Sequence, residues 1–190
     1  MPRNSRPGTG HPERRARSGW WRRFGPVLCL TGLWVGLLGC ATPSNPGHAH
    51  GAKTLFEFTA STYHFPSVTA TGKERDRLLR AAATGYERVL QQYPDQEGWC
   101  AKALRSLANV RVTQGRFPEA VQLYSRVAEQ YPQQDWEILQ AWKTAGDLLW
   151  EAGQPAEARK FYRQIVTRFD RPDPPAVIKL IVYAAKLRLA

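Results

Sequence analysis

From residue 74 onward, apolar side chains return every three or four positions, the spacing that builds one face of an α-helix. Leu78, Leu79, Ala82, Ala83, Tyr86, Val89 and Leu90 mark a helix from Glu74 to Tyr93, and Pro94 stops it. Cys100, Ala103, Leu104, Leu107, Ala108 and Val110 mark a second helix over about Glu97 to Gln114, with Gly115 as the left-handed residue that ends it. Pro118 lies just inside a third, which runs to about Tyr131 with Ala120, Val121, Tyr124, Val127 and Ala128 on one side. Asp135 is the N-cap expected for a fourth, which carries Ile138, Trp142, Ala145, Leu149 and Trp150 and ends at Gly153. Pro155 opens a fifth with Ala158, Phe161, Tyr162 and Ile165, and Pro172, Pro174 and Pro175 break it. A sixth helix, Ala176 to Ala190, follows.

The pattern then repeats itself at a shift of 38 residues. Gly115 answers to Gly153, Ala120 to Ala158 and Ala82, and Tyr124 to Tyr162 and Tyr86. Gln130-Tyr131-Pro132 answers to Gln92-Tyr93-Pro94, and more weakly to Arg168-Phe169-Asp170. A period of this size is the mark of a solenoid of stacked hairpins. Small residues stand where two helices of a hairpin approach, because a bulky side chain there forces them apart.

On these residues the array resembles tetratricopeptide repeats. The family's large, small, small, aromatic, apolar and proline positions fall on Leu104, Ala108, Ala120, Tyr124, Val127 and Pro132 in one unit. In the next they fall on Trp142, Gly146, Ala158, Tyr162 and Ile165, with Asp170 in place of the proline. The resemblance covers residues 74–190 and implies an all-α fold, a short right-handed α-solenoid of about six helices. The period exceeds the family's usual one of about 34 residues, the extra residues lying between hairpins, as at Gln133-Gln134-Asp135-Trp136. The leading unit shows no recognisable first helix, because residues 63–72 carry Pro66 and Gly72. Longer units ending in Tyr-Pro are similar to those of outer-membrane assembly lipoproteins and of periplasmic proteins that coordinate envelope constriction.

Such an array presents a concave groove lined by the first helix of each hairpin, the A helix. The family's groove positions fall on Lys102, Arg105 and Asn109, then on Gln140, Lys143 and Asp147, which implies a protein or peptide partner of acidic character. Arg105 with Asn109 is similar to the first half of a carboxylate clamp, but Thr144 stands where the clamp would need Asn. The bland alternative is that these polar residues merely solvate the inner face. Trp136 or Trp150 is a candidate anchor for a partner, Trp142 being core by its repeat position. The last helix, with Ile178, Leu180, Ile181, Val182 and Tyr183, is too apolar for a polar terminal cap, so it either folds back or meets another protein, a second copy included.

Ahead of the array, residues 54–72 combine Leu55, Phe56, Phe58, Tyr63, Phe65 and Val68 with partial alternation, which predicts an extended lead-in. Residues 40–53 are rich in Thr, Pro, Ser, Asn, Gly and His and read as a flexible tether. Before them an apolar run from Gly25 to Gly39 follows Trp20-Trp21-Arg22-Arg23-Phe24. The run is too short to span a bilayer and has the positive flank and small-residue end of a secretory signal over residues 1–39. Its ending, Leu37-Leu38-Gly39-Cys40, resembles the lipobox of bacterial lipoproteins. That resemblance implies cleavage before Cys40, lipidation of its thiol and acylation of the new amine, including a palmitate-type chain, which together anchor stably. Ala41 is not the Asp that retains such proteins at the inner membrane, so the implied place is the outer membrane, facing the periplasm. An ordinary signal peptide with a fortuitous Cys is the alternative.

The formal charge of +11 changes little once it is divided. Residues 1–39 hold seven arginines and one acid, leaving 20 basic against 15 acidic residues, a net of +5 spread over several helices. Nucleic-acid binding wants a concentrated basic stripe, so no nucleic-acid partner is expected. Of the cysteines, Cys29 lies in the signal run and Cys40 at its end, which leaves Cys100 as a small buried hydrophobe or a reactive thiol. His48 and His50 lack supporting ligands at metal-binding spacing, so no metal is expected. No phosphate loop or nucleophile motif appears, and no cofactor or catalytic residue is assigned. The reading is a lipid-anchored scaffold or assembly factor. The competing classes are an enzyme or accessory subunit of cell-wall or exopolysaccharide metabolism, favoured by an acidic pair in a closed pocket, and a self-associating structural lipoprotein joined through 176–190.

Overall fold

A computed structural model describes residues 46–190, with side chains from residue 51 onward. The signal segment, Cys29 and Cys40 lie outside the described residues, as do the side chains of His48 and His50. The described residues are helical throughout: α1 (Pro46–Thr59), a π-helical stretch (Ala60–His64), α2 (Phe65–Thr69), α3 (Gly72–Gln92), α4 (Glu97–Thr113), α5 (Phe117–Gln130), α6 (Asp135–Glu151), α7 (Pro155–Phe169) and α8 (Ala176–Leu189). Each helix packs on the next, α3 on α4, α4 on α5 and so on to α8, giving a solenoid of helical hairpins.

The punctuation is where the spacing placed it. Gly115 and Gly153 have φ of 74° and 72°, and each closes its helix with the same pair of bonds. The Gly115 N–H donates to Val112 and that of Arg116 to Arg111; the Gly153 N–H donates to Trp150 and that of Gln154 to Leu149. This double bond from the left-handed residue and its successor satisfies carbonyls that the helix end leaves open. Pro118 and Pro155 stand in the first turns of α5 and α7, where a missing N–H costs nothing.

One core runs through α4–α8, from Ala101 and Leu104 through Tyr124, Ile138, Trp142 and Tyr162 to Val182 and Ala185. A second joins α1 to α3 and α4 through Phe56, Ala60, Leu79, Tyr86 and Leu107. The small-residue argument holds at atomic scale. A Cβ on Gly146 would lie 2.8 Å from the Tyr162 ring, so the ring occupies the space that the glycine leaves.

Three expectations need correction. The lead-in at 54–72 is not extended. Phe56 and Ala60 face the core one turn apart, and α1, the π-helical stretch and α2 together pack on α3 as the missing A helix of the first hairpin. Pro66 does not break it because it sits near the start of α2, where no N–H is required. The tether also ends earlier, since α1 begins at Pro46. Asp135 is not an N-cap: it is the first residue of α6, Gln134 precedes it, and its carboxylate binds Arg168 and Arg171 of the α7 end.

Candidate protein-binding groove

The six residues expected to line the groove all lie half-buried on α4 and α6. Helical geometry sets Lys102, Arg105 and Asn109 on one face of α4, and Gln140, Lys143 and Asp147 on the matching face of α6. The two faces are joined by Arg105, whose Nε donates to Glu137 Oε2 at 2.5 Å. Both side chains are largely shielded, 20% and 13% exposed, so this pair bridges successive A helices rather than standing in open solvent.

Asn109 and Asp147 do a second job. The Tyr124 hydroxyl donates to Asn109 Oδ1 at 2.5 Å, and the Tyr162 hydroxyl donates to Asp147 Oδ1 at 2.9 Å. Burial raises the pKa of both phenols, which stay protonated donors. Each bond ties the A helix of a hairpin to its B helix, the second of the pair. Asp147 keeps its other oxygen for Lys143, whose Nζ lies 2.7 Å away. Gln140 sits one turn before that pair, half-buried.

In the first hairpin the equivalent tyrosine is Tyr86, and its partner is His64, with Nδ1 2.9 Å from the hydroxyl. Burial pushes Tyr86 up to about 12 and lowers His64 below its ordinary 6.5. A neutral imidazole accepts the phenolic hydrogen bond. The sequence reading missed His64 and Glu137. It also missed Phe56, whose ring sits between Tyr86 and Trp99, with centres 5.3 and 5.5 Å away. Lys102 Nζ lies 5.1 Å from the Phe56 ring centre and 5.0 Å from that of Trp99, so two aromatic faces orient this cation. A signal for the tyrosine partners existed: Asn109 precedes Tyr124 by 15 residues, as Asp147 precedes Tyr162.

Beyond α6 the groove continues as a hollow of about 240 Å³ lined by Lys143, Asp147, Tyr162, Ile181, Ala184 and Arg188. Arg188 lies 4.6 Å from the Trp150 ring centre, so Trp150 is engaged within the array, while Trp136 is 47% exposed. Arg105 pairs with Glu137 and Lys143 with Asp147, while Lys102 and Arg188 stack on aromatic rings and form no ion pair among the described residues. The wall is therefore basic overall, which suits an acidic segment.

Residues 99–171 match the tetratricopeptide-repeat family. The matched segment spans α4 to α7, the two hairpins that carry the groove residues. No curated protein shows a significant match to the chain. Tetratricopeptide repeats generally mediate protein–protein interaction through surfaces of this kind.

The remaining candidate chemistry resolves differently. Cys100 is fully buried, its Sγ 3.1 Å from the Tyr93 carbonyl, and burial raises its pKa. It is a packed side chain, because reactivity needs the thiolate. Glu87 and Glu119 converge in a groove of about 480 Å³ between α3 and α5, but both grip Arg111, at 3.1 and 3.7 Å. Among the described residues no group of His, Cys, Asp and Glu is arranged to hold a metal ion, and no helix is long and apolar enough to cross a membrane.

Proposed function

We propose that this protein is a lipid-anchored component of a bacterial cell envelope whose tetratricopeptide segment holds an acidic segment of another protein, as a scaffold or assembly factor. The observation that carries the binding half is the basic wall of α4 and α6, with Lys102 fixed by two rings and Arg105 fixed by Glu137. Pre-set cations lose less conformational freedom on binding than free ones, so they favour a specific partner over counterions. The anchoring half rests on Leu37-Leu38-Gly39-Cys40 and its positive flank, and Ala41 supports an outer-membrane place facing the periplasm. The two halves are independent. An anchor at Cys40 keeps the groove near the membrane where envelope proteins assemble, but the groove would bind the same segment unanchored.

The test of binding is a crosslinked pull-down from envelope membranes, with wild type compared against Lys102→Glu, Arg105→Glu and Lys143→Glu combined. A protein captured by wild type and lost in the triple variant supports the reading. Equal capture by both would overturn the groove assignment. Anchoring is tested by Cys40→Ala, which should leave the precursor uncleaved and without label from radioactive palmitate; normal processing would defeat it.

A further inference from the structure

The inner wall of the array changes character along its length, and the repeat register shows where. A shift of 38 residues carries Lys102 to Gln140 and then to Ile178, Arg105 to Lys143 and then to Ile181, and Asn109 to Asp147 and then to Ala185. Three rows that are polar or charged on α4 and α6 are therefore aliphatic on α8. Ile178 and Ile181 are half-buried against the main core, and Ala185 is buried. On α4 and α6, each packed between an earlier and a later helix, the same rows stay half-buried, so the architecture itself leaves this face partly open.

The hollow of about 240 Å³ lies where the two kinds of wall meet. Tyr162, Ile165 and Ala185 are its buried lining, and Ile181 and Ala184 form its α8 side. The polar atoms of that lining are already matched. Asp147 accepts from Tyr162 on one oxygen and from Lys143 on the other, and among the described residues no buried side-chain nitrogen or oxygen lacks a partner. A polar group entering the hollow thus loses water and finds no partner waiting, whereas an apolar one covers Ile165, Ile181 and Ala185 and breaks no bond. The size suits a leucine, isoleucine or phenylalanine side chain, since an apolar cavity of about 150 Å³ already accepts benzene.

The charges beside the hollow say what accompanies that side chain. Arg188 lies over the Trp150 ring and forms no ion pair among the described residues. Stacking leaves the N–H edge of a guanidinium free, so its donors remain for a carboxylate next to the hollow. Lys102 is held in the same way, by two rings and without an acidic partner, at the α4 end of the groove. Unpaired cations therefore stand on both sides of an apolar hollow.

We propose that this hollow is a specificity pocket for one aliphatic or aromatic side chain of the acidic segment, so that the partner carries an apolar residue among its carboxylates. The proposal rests on the basic-wall reading of the groove and adds the residue that sets register. The spacing follows from the array. α4 packs on α6, axes of packed helices stand about 8–10 Å apart, and an extended chain advances about 3.3 Å per residue. One step between A helices takes about three residues. A carboxylate at Arg188 is then a near neighbour of the apolar residue, and one at Lys102 lies about three to six residues from it.

The test is selection from a randomised peptide library, blocked at both ends, on the full chain in detergent micelles, for wild type, Ala184→Phe, Ile181→Ser and the triple variant Lys102→Glu, Arg105→Glu, Lys143→Glu. Ala184 is exposed, so phenylalanine there fills the hollow without entering the core. Wild type should enrich acidic residues together with Leu, Ile, Val or Phe at one fixed register. Changing that apolar residue to serine in a selected peptide should weaken binding about tenfold or more, as loss of a buried side chain of this size does. Ala184→Phe should keep the acidic preference and lose the apolar one, and Ile181→Ser should reduce the apolar one, with helical circular dichroism unchanged in both. Acidic enrichment with no apolar register, or an apolar preference that Ala184→Phe leaves intact, overturns the pocket while the basic-wall reading stands. Absence of acidic enrichment on wild type, or its persistence in the triple variant, overturns that reading and the pocket with it.

Discussion

The middle hairpins and the leading one reach the same packing by different routes. In α4–α5 and α6–α7 the tyrosine of the B helix finds its acceptor 15 residues earlier, at Asn109 and Asp147, and the two solutions superimpose at the repeat period. In the leading hairpin the acceptor is His64, 22 residues before Tyr86, supplied by a helix that runs out of register and through a π-helical stretch. His64 is the last residue of that π stretch, whose wider turn changes the phase relative to an α-helix, and its ring meets the Tyr86 hydroxyl. What the array requires at this point is a polar atom under the tyrosine hydroxyl, since a buried hydroxyl without one costs about 1–3 kcal/mol. The requirement constrains chemistry and place, and it leaves sequence position loose.

The largest way to break the comparison is Tyr124→Ala. The side chain is fully buried, and its loss removes both the ring and the Asn109 bond, so a cost of about 3–5 kcal/mol is expected by chemical denaturation. Next comes Gly146→Ala, whose new methyl meets the Tyr162 ring at 2.8 Å; overpacking of this kind costs about 1–3 kcal/mol. The leading hairpin has its own version. A Cβ on Gly85 would stand 2.4 Å from the Thr59 side chain, so Gly85→Ala should destabilise similarly, and adding Thr59→Ala should recover part of the loss. Strict additivity of the two changes would show that α1 and α3 do not meet there.

A smaller effect distinguishes His64 from its counterparts. Its folded pKa lies below the ordinary 6.5, so the folded state favours the neutral ring and the unfolded chain binds the proton more readily. This contribution is fully present above pH 6.5 and fades as the pH falls through the folded value. Wild type should lose part of its melting temperature between about pH 7.5 and about pH 5.5, and His64→Gln should flatten that slope. The smallest effect belongs to Lys143→Ala. Its partner Asp147 is 38% exposed and the lysine 43%, so stability should move by no more than about 0.5 kcal/mol.

Much of this fold was legible because glycine, proline and periodicity report local physics. Gly115 and Gly153 had to be left-handed, and the alanines at 120 and 158 had to be small, before any neighbour was known. The six helices from Gly72 to Leu189 followed. The lead-in was not legible, for the opposite reason. Its aromatic residues gave a partial alternation that read as extended, Pro66 read as a breaker, and its register broke the 38-residue period. Packing on α3 overrode the alternation, and Pro66 stands near the start of α2, where it breaks nothing. At the groove, the family resemblance named Lys102 and Arg105, whereas Phe56 and Glu137, which fix those cations, come from other helices and leave no trace in the repeat positions.

The central claim is that α1, the π-helical stretch and α2 complete the first hairpin. Amide hydrogen exchange on the full chain, read by mass spectrometry, tests this most directly. The account predicts that amides from Leu55 to His64 are protected to within about tenfold of those in α3, because both helices share one core. Exchange of that segment at the rate of an unstructured chain, with α3 still protected, would contradict it.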